Sequence, residues 1–189
     1  LSTWYNPTVA PDIDKSRIPI AVISDGKPGH ENQSLGIAEH IPGADILLFR
    51  HSLRESLSEA IFRLRVRFTP LNKAVSRELL ATALSNDDLD RLVKHQPRAV
   101  IAAGTLSAAP CILAGALTGA KTCICMKPSF LPLSMFDLAV VPAHDNPPDH
   151  PRILRTLAAP NRVSPERLSD EAHRWWDELP PGEKVISWI

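Results

Sequence analysis

The chain has 189 residues, 44% of them hydrophobic and 22% charged, which suits one compact domain and excludes a disordered tail or a fibrous repeat. Its 21 basic and 21 acidic side chains cancel, so no global field draws it to nucleic acid or to an anionic membrane, although a local basic patch is still open to it. Three cysteines are too few and too odd in number for a disulfide framework, and no basic-then-apolar signal segment opens the chain, so the expected compartment is the reducing cytoplasm.

Residues 1–17 carry Pro7 and Pro11 without periodicity and read as an irregular N-terminal arm. Residues 18–24 are a short apolar run bounded by turn chemistry, as expected of a strand buried on both faces. The tight loop Asp25-Gly26-Lys27-Pro28-Gly29-His30 follows, then a helical pattern with Leu35, Ile37, Ala38 and Ile41, then a second strand over 44–49. Residues 52–96 are helical in pattern, with breaks near Thr69-Pro70 and at Ser85-Asn86-Asp87-Asp88, an N-cap cluster for a helix ending near His95. Strands are expected over 98–103, 121–126 and 136–141, with a helix over 106–117. Ser164-Pro165-Glu166 starts a last helix whose apolar face is Leu168, Ala172, Trp175, Trp176 and Leu179, the tryptophan pair serving packing.

Residues 99–120 carry no charge and are nominally long enough to span a bilayer, but Gly104, Pro110, Gly115 and Gly119 interrupt them and their composition transfers weakly into lipid. A buried strand, a turn and a helix explain the run better, and no transmembrane segment is expected. Strand and helix periods alternate throughout, which argues for an α/β, Rossmann-like, mostly parallel sheet with helices on both faces. The chain opens on Leu1, and residues 184–189 read as a strand with no turn after it, so a piece of a longer protein is expected.

In such a sheet ligands bind outside the carboxyl ends of the strands, and here those segments are polar. They are Ser24 to Gln33, Arg50-His51, Gly104-Thr105-Leu106-Ser107, Lys127-Pro128-Ser129, and Pro142 with His144 and Asp145, which one crevice could collect. The first loop is the sharpest signal: Gly26 and Gly29 expose amides at a helix start, where an anion gains about 0.3 to 1 kcal/mol, and Lys27 adds a point charge. It is neither a P-loop nor the dinucleotide fingerprint. His30 is placed to take a proton from a substrate hydroxyl, a role worth about 10² to 10⁴ in rate, the plain alternative being a histidine that caps the turn. Asn32 and Gln33 continue the same segment. Gly104, Thr105 and Ser107 could hold a second part of the ligand, although many α/β turns carry Gly and Ser for turn geometry alone.

Cys123 and Cys125 share one face of a strand but lack a partner pair, so they read as buried thiols, and His144, Asp145, Asp149 and His150 lack a fixed metal-ligand spacing. No metal is expected. Arg50, Arg54, Arg63, Arg65 and Arg67, with Phe62 and Phe68 nearby, form a basic run that reads as a solvated helix face or as a contact for an acidic lipid head group or partner. No Gly-x-Ser-x-Gly elbow supports a hydrolase.

The segment Ser24-Asp25-Gly26-Lys27-Pro28-Gly29-His30-Glu31-Asn32-Gln33-Ser34-Leu35-Gly36 resembles the signature of the mitochondrial-fission (elongated-mitochondria) family, whose bacterial members are mostly uncharacterised proteins assigned as glycosyltransferases. Val100-Ile101-Ala102-Ala103-Gly104 and the block from Leu131 to Pro142, with His144-Asp145, agree in order and spacing, so that the resemblance covers about residues 18–189. It implies the N-terminal, acceptor-side half of a GT-B-like fold over 18–183, with 184–189 as the first strand of a missing C-terminal domain. It further implies a nucleotide-sugar donor as co-substrate rather than a covalently bound cofactor, a small-molecule or lipid-linked acceptor, no nucleic acid, and peripheral membrane contact. In some GT-B enzymes a histidine in this first loop is the general base, which strengthens that role for His30. Alternatives implied by the family are a non-catalytic fission adaptor and a nucleoside-diphosphate-sugar epimerase. Thr105 and Leu106 stand where the family pattern often has an Arg-Arg pair, and Lys127-Pro128-Ser129 where it often has Asp-Pro-Arg, so the charge of the cleft differs.

Overall fold

A computed structural model describes residues 17–53 and 57–178. The expected arm (all but Arg17), Arg54, Leu179 and the strand expected over 184–189 lie outside the described residues, as do the side chains of Ala172, Trp175 and Trp176.

The apolar runs form the strands β1 (Ile18–Ser24), β2 (Ala44–Arg50), β3 (Ala99–Ala103), β4 (Lys121–Cys125), β5 (Leu138–Pro142) and β6 (Ile153–Thr156). The helices are α1 (Pro28–Glu39), α2 (Leu57–Phe68), α3 (Lys73–Leu80), α4 (Asn86–His95), α5 (Thr105–Thr118) and α6 (Pro165–Glu178). All strands pair in parallel, in the order β2-β1-β3-β4-β5-β6, so the fold is the expected Rossmann-like α/β sheet.

The breaks between α2, α3 and α4 fall where turn chemistry placed them. Asn72 and Ser85 cap α3 and α4 by accepting the Val75 and Asp88 amides, which satisfies donors that a helix start leaves open. α5 is buried along nearly its whole length, because its alanines let the backbone approach the sheet closely.

The strict alternation of strand and helix fails after β4. The chain reaches β5 through residues 126–137 with only a 3-10 turn at Leu133–Met135, and passes from β5 to β6 through another at Ala143–Asp145. β6 itself was not expected: it is a four-residue edge strand, half exposed, in a segment where prolines and charges hide the period of two.

Side-chain alternation divides the core into two layers. Ala21, Ile23, Val100, Ala102 and Ile124 face the larger cluster with α3, α4 and α5, while Ile20, Val22, Ile101, Ala103, Cys123 and Cys125 face the smaller one with α1. Arg162 and Arg167 bind Glu39 and tie the start of α6 to the end of α1. Leu168, expected on a packed face of α6, is 60% exposed instead. No helix among the described residues is long and apolar enough to cross a membrane; the uncharged run is β3, Gly104 and α5.

Candidate active site

β1 and β3 are neighbours although α1 and β2 lie between them in sequence, so the connection after β1 runs to one side and the chain after β3 to the other. This is a topological switch point, where open α/β sheets have their ligand crevice, and here that position falls between the loop after β1 and the loop after β3.

The loop after β1 turns on Gly26, whose φ of +79° favours glycine, and Pro28 presets the first helical turn. The turn brings Asp25 Oδ2 to 2.9 Å from His30 Nδ1, with the Asp25 side chain 1% exposed and that of His30 22%. A carboxylate only accepts, so Nδ1 carries the hydrogen and Nε2 keeps its lone pair. From the other side, Gly104 holds the imidazole. A Cβ there would lie 2.7 Å from Nδ1 and 2.9 Å from Nε2, so the ring occupies the space a side chain would fill.

The amides expected to cradle a phosphate are partly engaged within the loop itself. Gly26 N–H donates to Ser24 Oγ at 2.9 Å and Lys27 N–H to Asp25 Oδ1 at 3.1 Å, so a carboxylate of the chain already takes one position of an external anion. The Gly29 and His30 amides, in the first turn of α1, have no hydrogen bond among the described residues. Ser24 Oγ in turn donates to Glu31 Oε1 at 2.9 Å, and Arg50, at the end of β2, grips both oxygens of Glu31 at 2.6 and 3.0 Å. The Arg50 guanidinium holds the Glu31 carboxyl below its ordinary value, against the opposing effect of burial, and Ser24 adds to the lowering.

Other predicted site residues divide into those near this pair and those away from it. Thr105 Oγ1 accepts the Ser129 amide at 3.2 Å, which joins the loop after β4 to the start of α5, and Lys127 is exposed on that loop. Ser107 is fully buried, and its hydroxyl meets His51 Nε2 at 3.1 Å. Asn32 is exposed on another face of α1, beside Arg162, and Gln33 Oε1 is buried without a hydrogen-bond partner among the described residues. His144 and Asp145 share the sheet edge but stand two strands from β3, about 10 Å away, and pair with each other at 3.6 Å. No group of three or more His, Cys, Asp or Glu among the described residues could hold a metal ion. Cys111, Cys123 and Cys125 are buried thiols; desolvation pushes Cys123 up to about 12, which leaves it neutral and unreactive.

Sequence reading missed two features. Asp25, expected among the substrate-binding residues, is bonded to His30, and Glu31, inside the expected segment from Ser24 to Gln33 but given no role there, is held by Ser24 and Arg50. The local signal was present, an acid five positions before a histidine across a Gly-Pro-Gly turn, but only the turn's geometry makes the two meet.

The fold is that of a Rossmann-like α/β domain, with an imidazole held at the carboxyl edge of its sheet. Within that class the chain belongs to the mitochondrial fission ELM1 family, whose model matches residues 28–188. His30 and Gly104 lie inside the match, and Asp25 lies just before it. No protein of curated function matches the sequence.

Proposed function

We propose that this chain is the acceptor-side domain of an inverting, GT-B-type glycosyltransferase, with His30 as general base. The observation that carries the reading is the imidazole fixed between a buried carboxylate and a glycine at the switch point, an arrangement that leaves Nε2 as the proton acceptor. The acceptor hydroxyl would lose its proton to Nε2 as its oxygen bonds to the anomeric carbon of a nucleotide-sugar. The bond to the nucleoside diphosphate breaks in the same step, and the leaving group takes that electron pair. Asp25 stabilises the imidazolium that forms. Exposed Lys127, together with the Gly29 and His30 amides, would attract an acceptor phosphate, while Gly26, whose amide is bound to Ser24 Oγ, shapes the turn.

The test is release of nucleoside diphosphate from a panel of nucleotide-sugars by the protein as its gene encodes it. His30→Ala should lower turnover by about 10² to 10⁴ without changing stability, and Asp25→Asn, which favours the wrong tautomer, should lower it in the same sense. Unchanged turnover in His30→Ala would remove the base assignment.

The adaptor reading draws on a different observation, the outward face of α2. Arg63 is not free to serve it, since it binds the buried Glu59 one turn earlier at 2.7 Å. Arg65 and Arg67 face outward.

A further inference from the structure

α2 presents two unlike faces. Glu59, Phe62 and Val66 are buried against the domain, at the spacing of one helical stripe. On the outward face Ile61, Leu64 and Phe68 are 51%, 55% and 71% exposed, again at helical spacing. At 100° per residue, Arg65 falls on one side of that apolar stripe and Arg67 on the other. Phe130, 68% exposed on the loop after β4, extends the stripe, and its backbone oxygen accepts a hydrogen bond from Arg67. A groove of about 360 Å³ separates it from the helix.

The charge of this surface has one sign. Glu59, the acid of α2, is buried and bound to Arg63, so among the described residues the outward face of α2 offers guanidinium groups and no carboxylate. The Arg63 guanidinium lies over the Phe130 ring at 4.9 Å and that of Arg67 over the Phe68 ring at 5.3 Å, so cationic groups are stacked on the aromatics of this surface. An apolar ridge with arginine on each side is the distribution of a helix lying in the plane of a bilayer surface, with apolar groups toward the acyl chains and guanidinium groups level with phosphates.

We propose that α2 and the Phe130 loop form a docking surface for an anionic lipid bilayer. Charge complementarity decides the occupant, because an uncharged bilayer would leave the positive charge of Arg65 and Arg67, which no carboxylate among the described residues balances, unanswered. The surface is also continuous with the crevice: Ser129, next to Phe130, binds Thr105 at the start of α5. Docking would therefore hold the crevice close to the membrane surface, where lipid-linked molecules are presented. The proposal is independent of the glycosyl-transfer reading, and its test needs no turnover.

The experiment is sedimentation of the full chain with vesicles of equal parts phosphatidylserine and phosphatidylcholine, against vesicles of phosphatidylcholine alone. The wild type should bind the anionic vesicles, bind the neutral ones at least about tenfold more weakly, and be released by salt. Phe68→Ser with Phe130→Ser, and separately Arg65→Glu with Arg67→Glu, should each weaken binding by about tenfold or more, with thermal unfolding checking that these exposed changes leave the fold intact. Absence of wild-type binding to anionic vesicles would overturn the proposal. So would equal binding by folded variants, or self-association of the chain through these residues in place of lipid binding.

Discussion

At His30 one side chain has three determinants, a carboxylate that sets its tautomer, a glycine that gives it room, and a proline turn that starts its helix. Gly104 combines two of the constraints on this site. Its φ of +79° and ψ of 170° lie in a region open essentially to glycine, and the ring of His30 fills the place of its missing Cβ. Gly104→Ala should therefore lower stability by about 1 to 3 kcal/mol and swing the imidazole away from Asp25. Denaturant unfolding reads the first effect, and the displaced His30 ring resonances in an NMR spectrum read the second. His30 and Gly104 were each legible in the sequence as loop residues after strands. Their contact was not, since it depends on β1 and β3 being neighbours.

Between elements, ion pairs are the fasteners near the site, and Glu31 with Arg50 joins α1 to the end of β2. The folded Glu31 has its pKa below the ordinary 4.5, so its contribution to stability is present above that value and is lost as pH falls through the folded pKa. Stability of the wild type should fall more steeply than that of Arg50→Ala as the pH is lowered through and below the ordinary carboxylate range, measured as denaturation midpoint against pH. Equal slopes would show that the pair does not contribute. Elements with strong periodicity and caps were legible: α4 starts at the expected cluster, and β1 has the expected bounds. β6 was not, because an exposed edge strand carries no continuous apolar run and its identity lies in pairing with β5. The passage from β5 to β6 escaped for the same reason, as loop composition does not state which strand comes next.

Across the whole molecule, stability rests on two apolar layers that differ in size, and α5 is the helix that the larger layer surrounds. Leu113, fully buried on α5, should cost about 2 to 5 kcal/mol when changed to alanine, whereas Ile61→Ala on the exposed face of α2 should stay within about 0.5 kcal/mol. Chemical denaturation of the two variants separates a core position from a surface one that a hydropathy pattern alone would treat alike. The sequence by itself determined the parallel α/β class, most element boundaries and the polar strand ends, because these follow from local periodicity, caps and turns. Only the tertiary structure decided that Asp25 meets His30, that Gly104 holds the ring, that Ser107 is buried against His51, and that the apolar residues of α2 divide into a buried and an exposed stripe. Those outcomes depend on which strands become neighbours, a choice made by burial summed over the whole chain and not by any short segment of it.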